Sequence, residues 1–213
     1  MNISRNRFSG LILAGGKGSR MGFVDKPLLE LGDKAIIQWI FSRSEKHIDH
    51  FLISLNRNHS KYHSFDYPLI NDLPGYANGP LIGIYSAMEF ISKGMAKNKP
   101  TYLITFPGDV PFFPEKLVPK LMIEMEKHSR DAVIARSEER LQPLFAVWAL
   151  TAKQKIKYSI EEGLFGPLQI LSKLNHQIVP FEKQSVLDFF NINTQKDFKT
   201  AQKLLKNEQK NYE

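Results

Sequence analysis

The chain has 213 residues, 42% of them apolar and 24% charged, which is enough for one sizeable globular core. Lys and Arg number 29 against 22 Asp and Glu, a formal charge of +7 that suits an anionic ligand; no basic helix or stacking-aromatic motif accompanies it, so nucleic acid is not an expected partner. With no cysteine, a disulfide scaffold, a zinc–cysteine site and a thiol nucleophile are excluded; the apolar run Leu11–Ala14 is too short for a signal sequence or membrane span, so a cytoplasmic protein without membrane contact is expected.

In chain order, "FSGLILAGG" reads as a short strand ending in a glycine loop, its continuous apolar run implying cover on both faces. "LGDKAIIQWIFSRSEKHIDH" contains a helix with Ile36, Ile37, Ile40, Phe41 and Ser44 on one face. "HFLISLN" and "YPLIND" follow as strands, the second ending at Asp72. After "GYANGP" the spacing of Leu81, Ile84, Tyr85, Met88 and Ile91 predicts a helix. "TYLITFPGDVPFF" is a fourth strand running into Asp109, and Pro114 opens a helix carrying Leu117, Val118, Leu121, Met122 and Met125. Beyond it, "DAVIARS" and "PLFAVWAL" read as strands, "GPLQILSKL" as a helix and "HQIVPF" as a short strand. "FNINTQKDF" reads as a strand end carrying Asn191 and Asn193, and then a closing helix capped by Thr194 or Asn193. Residues 207–213 are expected to fray.

This alternation of strands and crossover helices predicts a three-layer α/β/α fold with an open, mostly parallel sheet. It is read as one domain over 1–213, divided at about residue 110 into a first half and a second half that runs to about residue 200. Ligands of such sheets bind beyond the carboxyl ends of the strands. The first four strands here end at Gly15, Asn56, Asp72 and Asp109, so these residues should converge on one rim.

The glycine loop does not fit the two commonest phosphate-binding patterns. Lys17 precedes Gly18 and Ser19, which breaks the Walker order. Gly16, Gly18 and Gly22 are wrongly spaced for the dinucleotide fingerprint, and no acidic residue ends the second strand. The loop's physical capacity is nonetheless plain. Successive backbone N–H groups in a glycine-rich turn bind anionic oxygens, Arg20 can fork onto phosphate, and Lys26 offers a mobile point charge. Asp109, in the "FPGDVP" turn past a buried strand, is well placed to hold Mg²⁺, and a turn aspartate bonding its own backbone is the other reading. The six histidines show no zinc-ligand spacing.

"LAGGKGSRMG" with "DKPLLEL", then "SLNRN", "NDLPGYANGPLIGI", "FPGDVPFF" and "NINTQKDF", resemble in order the motifs of the molybdenum cofactor guanylyltransferase (MobA) family of nucleoside triphosphate-dependent nucleotidyltransferases. The resemblance runs from about Gly10 to Phe198 and implies a Rossmann-like nucleotidyltransferase fold. It implies GMP transfer from GTP to the phosphate of the molybdenum-molybdopterin cofactor, with Mg²⁺ held by Asp109 and pyrophosphate released. Arg20, Lys26 and Asp109 are then the catalytic candidates. Leu13, Ala14, Gly15, Lys26, Asn56, Asp72 and Asp109 become nucleotide contacts, Asp72 serving either base or ribose. Gln142, Asn191 and Asn193 fall on the acceptor side, and molybdoenzymes or their chaperones are further expected partners. The chain departs from the family at Leu164 and Phe165, where a basic residue is common, so basic contacts to an anionic pterin would come from elsewhere. A cytidylyl- or sugar-phosphate nucleotidyltransferase, or a non-catalytic nucleotide-binding adaptor for molybdoenzyme maturation, are the alternatives.

Overall fold

A computed structural model describes residues 4–16, 25–76, 79–94 and 100–210. Strand β1 (Phe8–Leu13) follows a short 3-10 turn at Arg5–Arg7. A minimal hairpin, β2 (Glu30–Leu31) and β3 (Lys34–Ala35), leads into α1 (Ile36–Ser44). Then come β4 (Phe51–Ser54), β5 (Leu69–Ile70), α2 (Pro80–Ser92), β6 (Tyr102–Pro107), α3 (Leu117–Lys127), β7 (Ala132–Ser137), β8 (Arg140–Ala149), α4 (Lys153–Glu161), β9 (His176–Phe181) and α5 (Gln195–Lys210). Seven strands form one sheet in the order β5-β4-β1-β6-β8-β7-β9. β1 runs parallel to β4 and β6, β4 to β5, and β7 to β9; β8 is antiparallel to both β6 and β7.

The apolar pattern builds the layers. In β1, Phe8 and Ile12 face a core with Ile37, Ile40 and Phe41 of α1 and Leu117, Leu121 and Met125 of α3. Leu11 points the opposite way, into a core with Leu81, Ile84 and Met88 of α2 and Ile156 and Ile160 of α4. This alternation is the period of two that a strand imposes, and the strand is mostly apolar along its length because both faces are covered, Ser9 being its one buried polar residue. Gly10 lies on the first face, where a Cβ would sit 2.3 Å from the Phe51 ring, so no larger residue fits between β1 and β4. A third, smaller core joins the β2–β3 hairpin to α5 through Leu31, Ile36, Phe112, Ile192, Ala201 and Leu205.

Four features differ from expectation. "GPLQILSKL" forms a 3-10 segment, Pro167–Lys173, in place of an α-helix. The unforeseen helix α4 precedes it, burying only Ile156, Ser159 and Ile160. Asn191 and Asn193 are not on a strand: residues 190–193 are extended coil, held instead by Phe189 N–H donating to Phe112 O (2.9 Å) and Ile192 N–H to Asp109 O (2.9 Å). The closing helix runs on through Lys210, so residues 207–210, expected to fray, are helical. No described helix is long and apolar enough to cross a membrane.

Candidate active site

Four parallel strands, β5, β4, β1 and β6, end on the same side of the sheet. There a cavity of about 430 Å³ opens, lined by Leu13, Ala14, Gly15 and Gly16 after β1, Ser54 and Asn56 at the end of β4, Asp72 after β5, and Pro107, Gly108 and Asp109 at the end of β6. Lys26, Pro27, Gly79, Pro80, Gly83 and Leu144 complete it. All seven residues expected on the nucleotide side therefore face one space. Arg20 lies outside the described residues.

Two glycines allow the walls to close in. A Cβ on Gly108 would lie 2.8 Å from the Leu13 carbonyl oxygen, so the β6 turn packs directly on the β1 loop. Gly108 N–H donates to that same carbonyl at 3.0 Å. A Cβ on Gly83, in the second turn of α2, would lie 2.6 Å from Ser54 Oγ and 3.1 Å from Leu13 Cδ2.

The polar groups are paired across elements. Asn56 and Asp72 lock together: Asn56 Nδ2 donates to Asp72 Oδ2 (2.7 Å), and Asp72 N–H donates to Asn56 Oδ1 (2.8 Å). The amide thereby turns the carboxylate and leaves its other oxygen, Oδ1, on the Gly83 side. Lys26 Nζ, 83 residues from Asp109 in sequence, donates to Asp109 Oδ2 (3.1 Å) and to Asn193 Oδ1 (2.8 Å). Their side chains are partly shielded, 15% exposed for Lys26 and 27% for Asp109.

Asn193 is held by the cap of α5. The Asp197 carboxylate accepts from Asn193 N–H (3.1 Å), Thr194 N–H (2.8 Å) and the Thr194 hydroxyl (2.9 Å), and the Thr194 hydroxyl accepts from Asp197 N–H (3.1 Å). This is a reciprocal cap of the kind that fixes where a helix begins. Burial pushes the Asp197 carboxyl up, but the hydrogen bonds from Thr194 and Asn193 outweigh it and hold the pKa below its ordinary value.

The acceptor-side expectations divide. Asn193 reaches the cavity through Lys26, whereas Asn191 is exposed and away from it. Gln142 also lies off the cavity wall. It pairs with Ala135 at a break in register, because Pro143 cannot donate to the ladder and the residues after it bulge; it is Leu144 that reaches the cavity.

Several lining features were not anticipated. The N-terminus of α2 opens on the cavity through Gly79 and Pro80, with Pro80 at the first helical position. Helix N-termini favour anions. Phe165 covers that end: its carbonyl accepts from Leu81 N–H (3.2 Å), and a Cβ on Gly79 would meet it at 2.7 Å. The departure at residue 165 thus lies against the α2 N-terminus. Gly79-Pro80 was the available sequence signal, a glycine followed by proline at a helix start.

A resident metal needs a fitting donor set. Among the described residues no group of three or more His, Cys, Asp or Glu could enclose an ion. Magnesium, however, is commonly held by one or two carboxylates together with substrate phosphates and waters. Asp109, a cavity-lining carboxylate, fits an ion that arrives with a triphosphate and does not fit an all-protein cage.

Comparison with known proteins agrees with this geometry. Residues 10–175 match the MobA-like NTP transferase domain. The molybdenum cofactor guanylyltransferase of Haemophilus influenzae is 34% identical over 90% of this chain and 95% of its own, and that of Polynucleobacter asymbioticus 31% identical over 95% and 100%. Among solved structures, molybdopterin-guanine dinucleotide biosynthesis protein A of Archaeoglobus fulgidus superimposes with a TM-score of 0.73 at 25% identity, over 93% of this chain and 99% of its own.

Proposed function

The chain belongs to the MobA-like NTP transferase family, and on that premise we propose that it transfers GMP from GTP to the terminal phosphate of the molybdenum-molybdopterin cofactor. The products are pyrophosphate and the guanine dinucleotide form of the cofactor. The observation that carries the reading is the joint presence of Lys26, Asp109, Asn56 and Asp72 on one cavity at the strand ends, reached from four separate chain segments.

The nucleotide lies on the half of the chain before about residue 110 and the acceptor on the half after it. The base sits against Leu13, Ala14 and Gly15, with Asp72 accepting from base or ribose. Asp72 is suited to this because Asn56 already holds it by two hydrogen bonds, one donated to the carboxylate and one accepted from the Asp72 backbone N–H, so little freedom is lost on binding. The triphosphate lies against the cavity wall at Gly15 and Gly16, since glycine-rich turns can present backbone N–H groups to anionic oxygens. Asp109 would hold a magnesium ion, which when bound neutralises charge on phosphate oxygens and polarises phosphorus. Lys26, tied to Asp109 and Asn193, brings a cation to the point where the nucleotide and acceptor halves meet.

An oxygen of the cofactor phosphate attacks the α-phosphorus in line; the new O–P bond forms as the bond to the bridging oxygen breaks and pyrophosphate leaves with that electron pair. The attacking phosphate is already anionic, so the protein needs no covalent nucleophile or dedicated base. Its contribution is positioning and fixed positive potential. Asn193, held by the α5 cap, orients the Lys26 ammonium towards the acceptor side.

A thermal-shift panel of GTP, CTP, ATP and UTP, each with Mg²⁺, tests the nucleotide assignment. A ligand at about 100 times its dissociation constant stabilises the fold by roughly 2.7 kcal/mol. The reading expects that shift with GTP; a shift with CTP and none with GTP overturns the guanylyl assignment.

A further inference from the structure

Behind the cavity lies a second polar cluster that the transfer reaction does not use directly. Arg57 follows Asn56 on the segment after β4, and its Nη2 donates to the Gly16 carbonyl oxygen at 3.0 Å. The same guanidinium forms an ion pair with Asp25, Nε to Oδ1 at 3.9 Å. Asp25 is nearly enclosed, its side chain 9% exposed, and it also accepts two hydrogen bonds from Asn58 Nδ2 (2.8 and 3.1 Å) and one from Lys61 Nζ (3.2 Å). Asn58 takes a left-handed conformation, φ 56°, which asparagine tolerates better than most residues and which begins the 3-10 turn carrying Lys61. The buried Tyr62 ring packs under this turn; burial raises its phenol's pKa first and the Asp25 charge raises it further, so the phenol stays neutral.

Of the two residues that Arg57 contacts, Gly16 lines the cavity and Asp25 directly precedes Lys26, which lines it too. One side chain therefore spans from the phosphate-binding backbone to the base of the cationic lysine. An enclosed carboxylate that loses its partners would be costly to keep charged, so the cluster fixes where Asp25, and with it Lys26, can sit.

We infer that Arg57 is a positioning residue for the nucleotide site: by bridging Gly16 and Asp25 it sets the separation between the Gly16 backbone and Lys26. The inference rests on the reading that a triphosphate binds at this rim. Its consequence is kinetic, because a triphosphate must meet both elements at once.

The test measures pyrophosphate release at varied GTP, together with melting temperature, for wild type, Arg57→Ala, Arg57→Lys, Asp25→Asn and the Arg57→Ala/Asp25→Asn double variant. Arg57→Ala is expected to raise the KM for GTP about tenfold with a much smaller change in kcat, the size expected from losing a charged hydrogen bond. Asp25→Asn should shift KM in the same direction. The double variant should be no worse than the more affected single one, since both act through one bridge. Arg57→Lys, which keeps the charge but loses the fork, should recover KM only in part. A fall in melting temperature with unchanged KM, additive single effects, or full recovery by lysine while Asp25→Asn behaves as wild type each overturns the positioning role. A wild type that releases no pyrophosphate from GTP overturns the reading of the site and this inference with it.

Discussion

Replacing Lys26 with alanine separates catalysis from folding. The side chain makes two charge-assisted hydrogen bonds, to Asp109 at 3.1 Å and to Asn193 at 2.8 Å, at positions 15% and 27% exposed for the ion pair. Its removal lets cavity water reach the Asp109 carboxylate and the Asn193 amide, so the stability loss should resemble that of an exposed pair, about 0.5–1 kcal/mol. For a chain of this length that is a melting shift of about 1–4 °C. On the proposed mechanism the same ammonium faces developing charge among transferring phosphate oxygens, where loss of one preorganised donor costs about 2.7–4 kcal/mol, or 10²–10³ in kcat. Pyrophosphate release at saturating GTP and cofactor, alongside a thermal melt, reads both quantities on one preparation. The expected result is a rate lowered at least a hundredfold in a protein that melts nearly as wild type. A kcat within threefold of wild type would refute the assignment of Lys26, and a melting temperature lowered by more than about 10 °C would show its role to be mainly structural.

Asp109→Asn keeps the shape of the side chain but removes the charge, so divalent-dependent turnover should fall by about 10² or more while partner binding by a pure adaptor would persist; turnover at varied Mg²⁺ distinguishes the two. Gly83→Ala places a methyl 2.6 Å from Ser54 Oγ, and the displaced wall should weaken GTP binding and cost about 1–3 kcal/mol, read by calorimetry and melting. The α5 cap makes stability depend on pH. The folded pKa of Asp197 is depressed, so its contribution is present above the unfolded value of 3.8 and is lost as pH falls through the lower folded value. The melting difference between wild type and Asp197→Asn should therefore be full near neutrality and shrink on acidification below about 3.8; a difference independent of pH would contradict the cap's charge dependence.

The cavity at the strand ends was legible in the sequence because most of its expected wall follows a buried strand; Lys26, on a 3-10 turn, is the exception. A run such as "FSGLIL" or "TYLITFP" stops at a glycine-containing turn, and parallel strands bring those ends together whatever their separation in the chain. The segments expected on the acceptor side were less legible for physical reasons. Alternation suggested a strand for "FNIN", but that segment lies beside 109–112 as coil joined by two backbone hydrogen bonds, a contact set by tertiary packing. Gln142 was expected on the acceptor side only from the resemblance, and in the structure it pairs with Ala135 next to the register break at Pro143. Helix α4 was not foreseen because "KQKIKYSIE" buries only three side chains and is mostly polar. The Arg57–Asp25 bridge joins residues 32 positions apart whose types alone suggest solvated charge.

The central claim, guanylyl transfer at the rim of the sheet, is tested most directly by following the label from α-phosphate-labelled GTP into the molybdenum-molybdopterin cofactor, with α-labelled CTP in a parallel reaction. The account predicts label in a cofactor dinucleotide from GTP, one pyrophosphate released per label incorporated, and none from CTP. Incorporation from CTP with none from GTP, or GTP binding without any transfer to the cofactor, would contradict it.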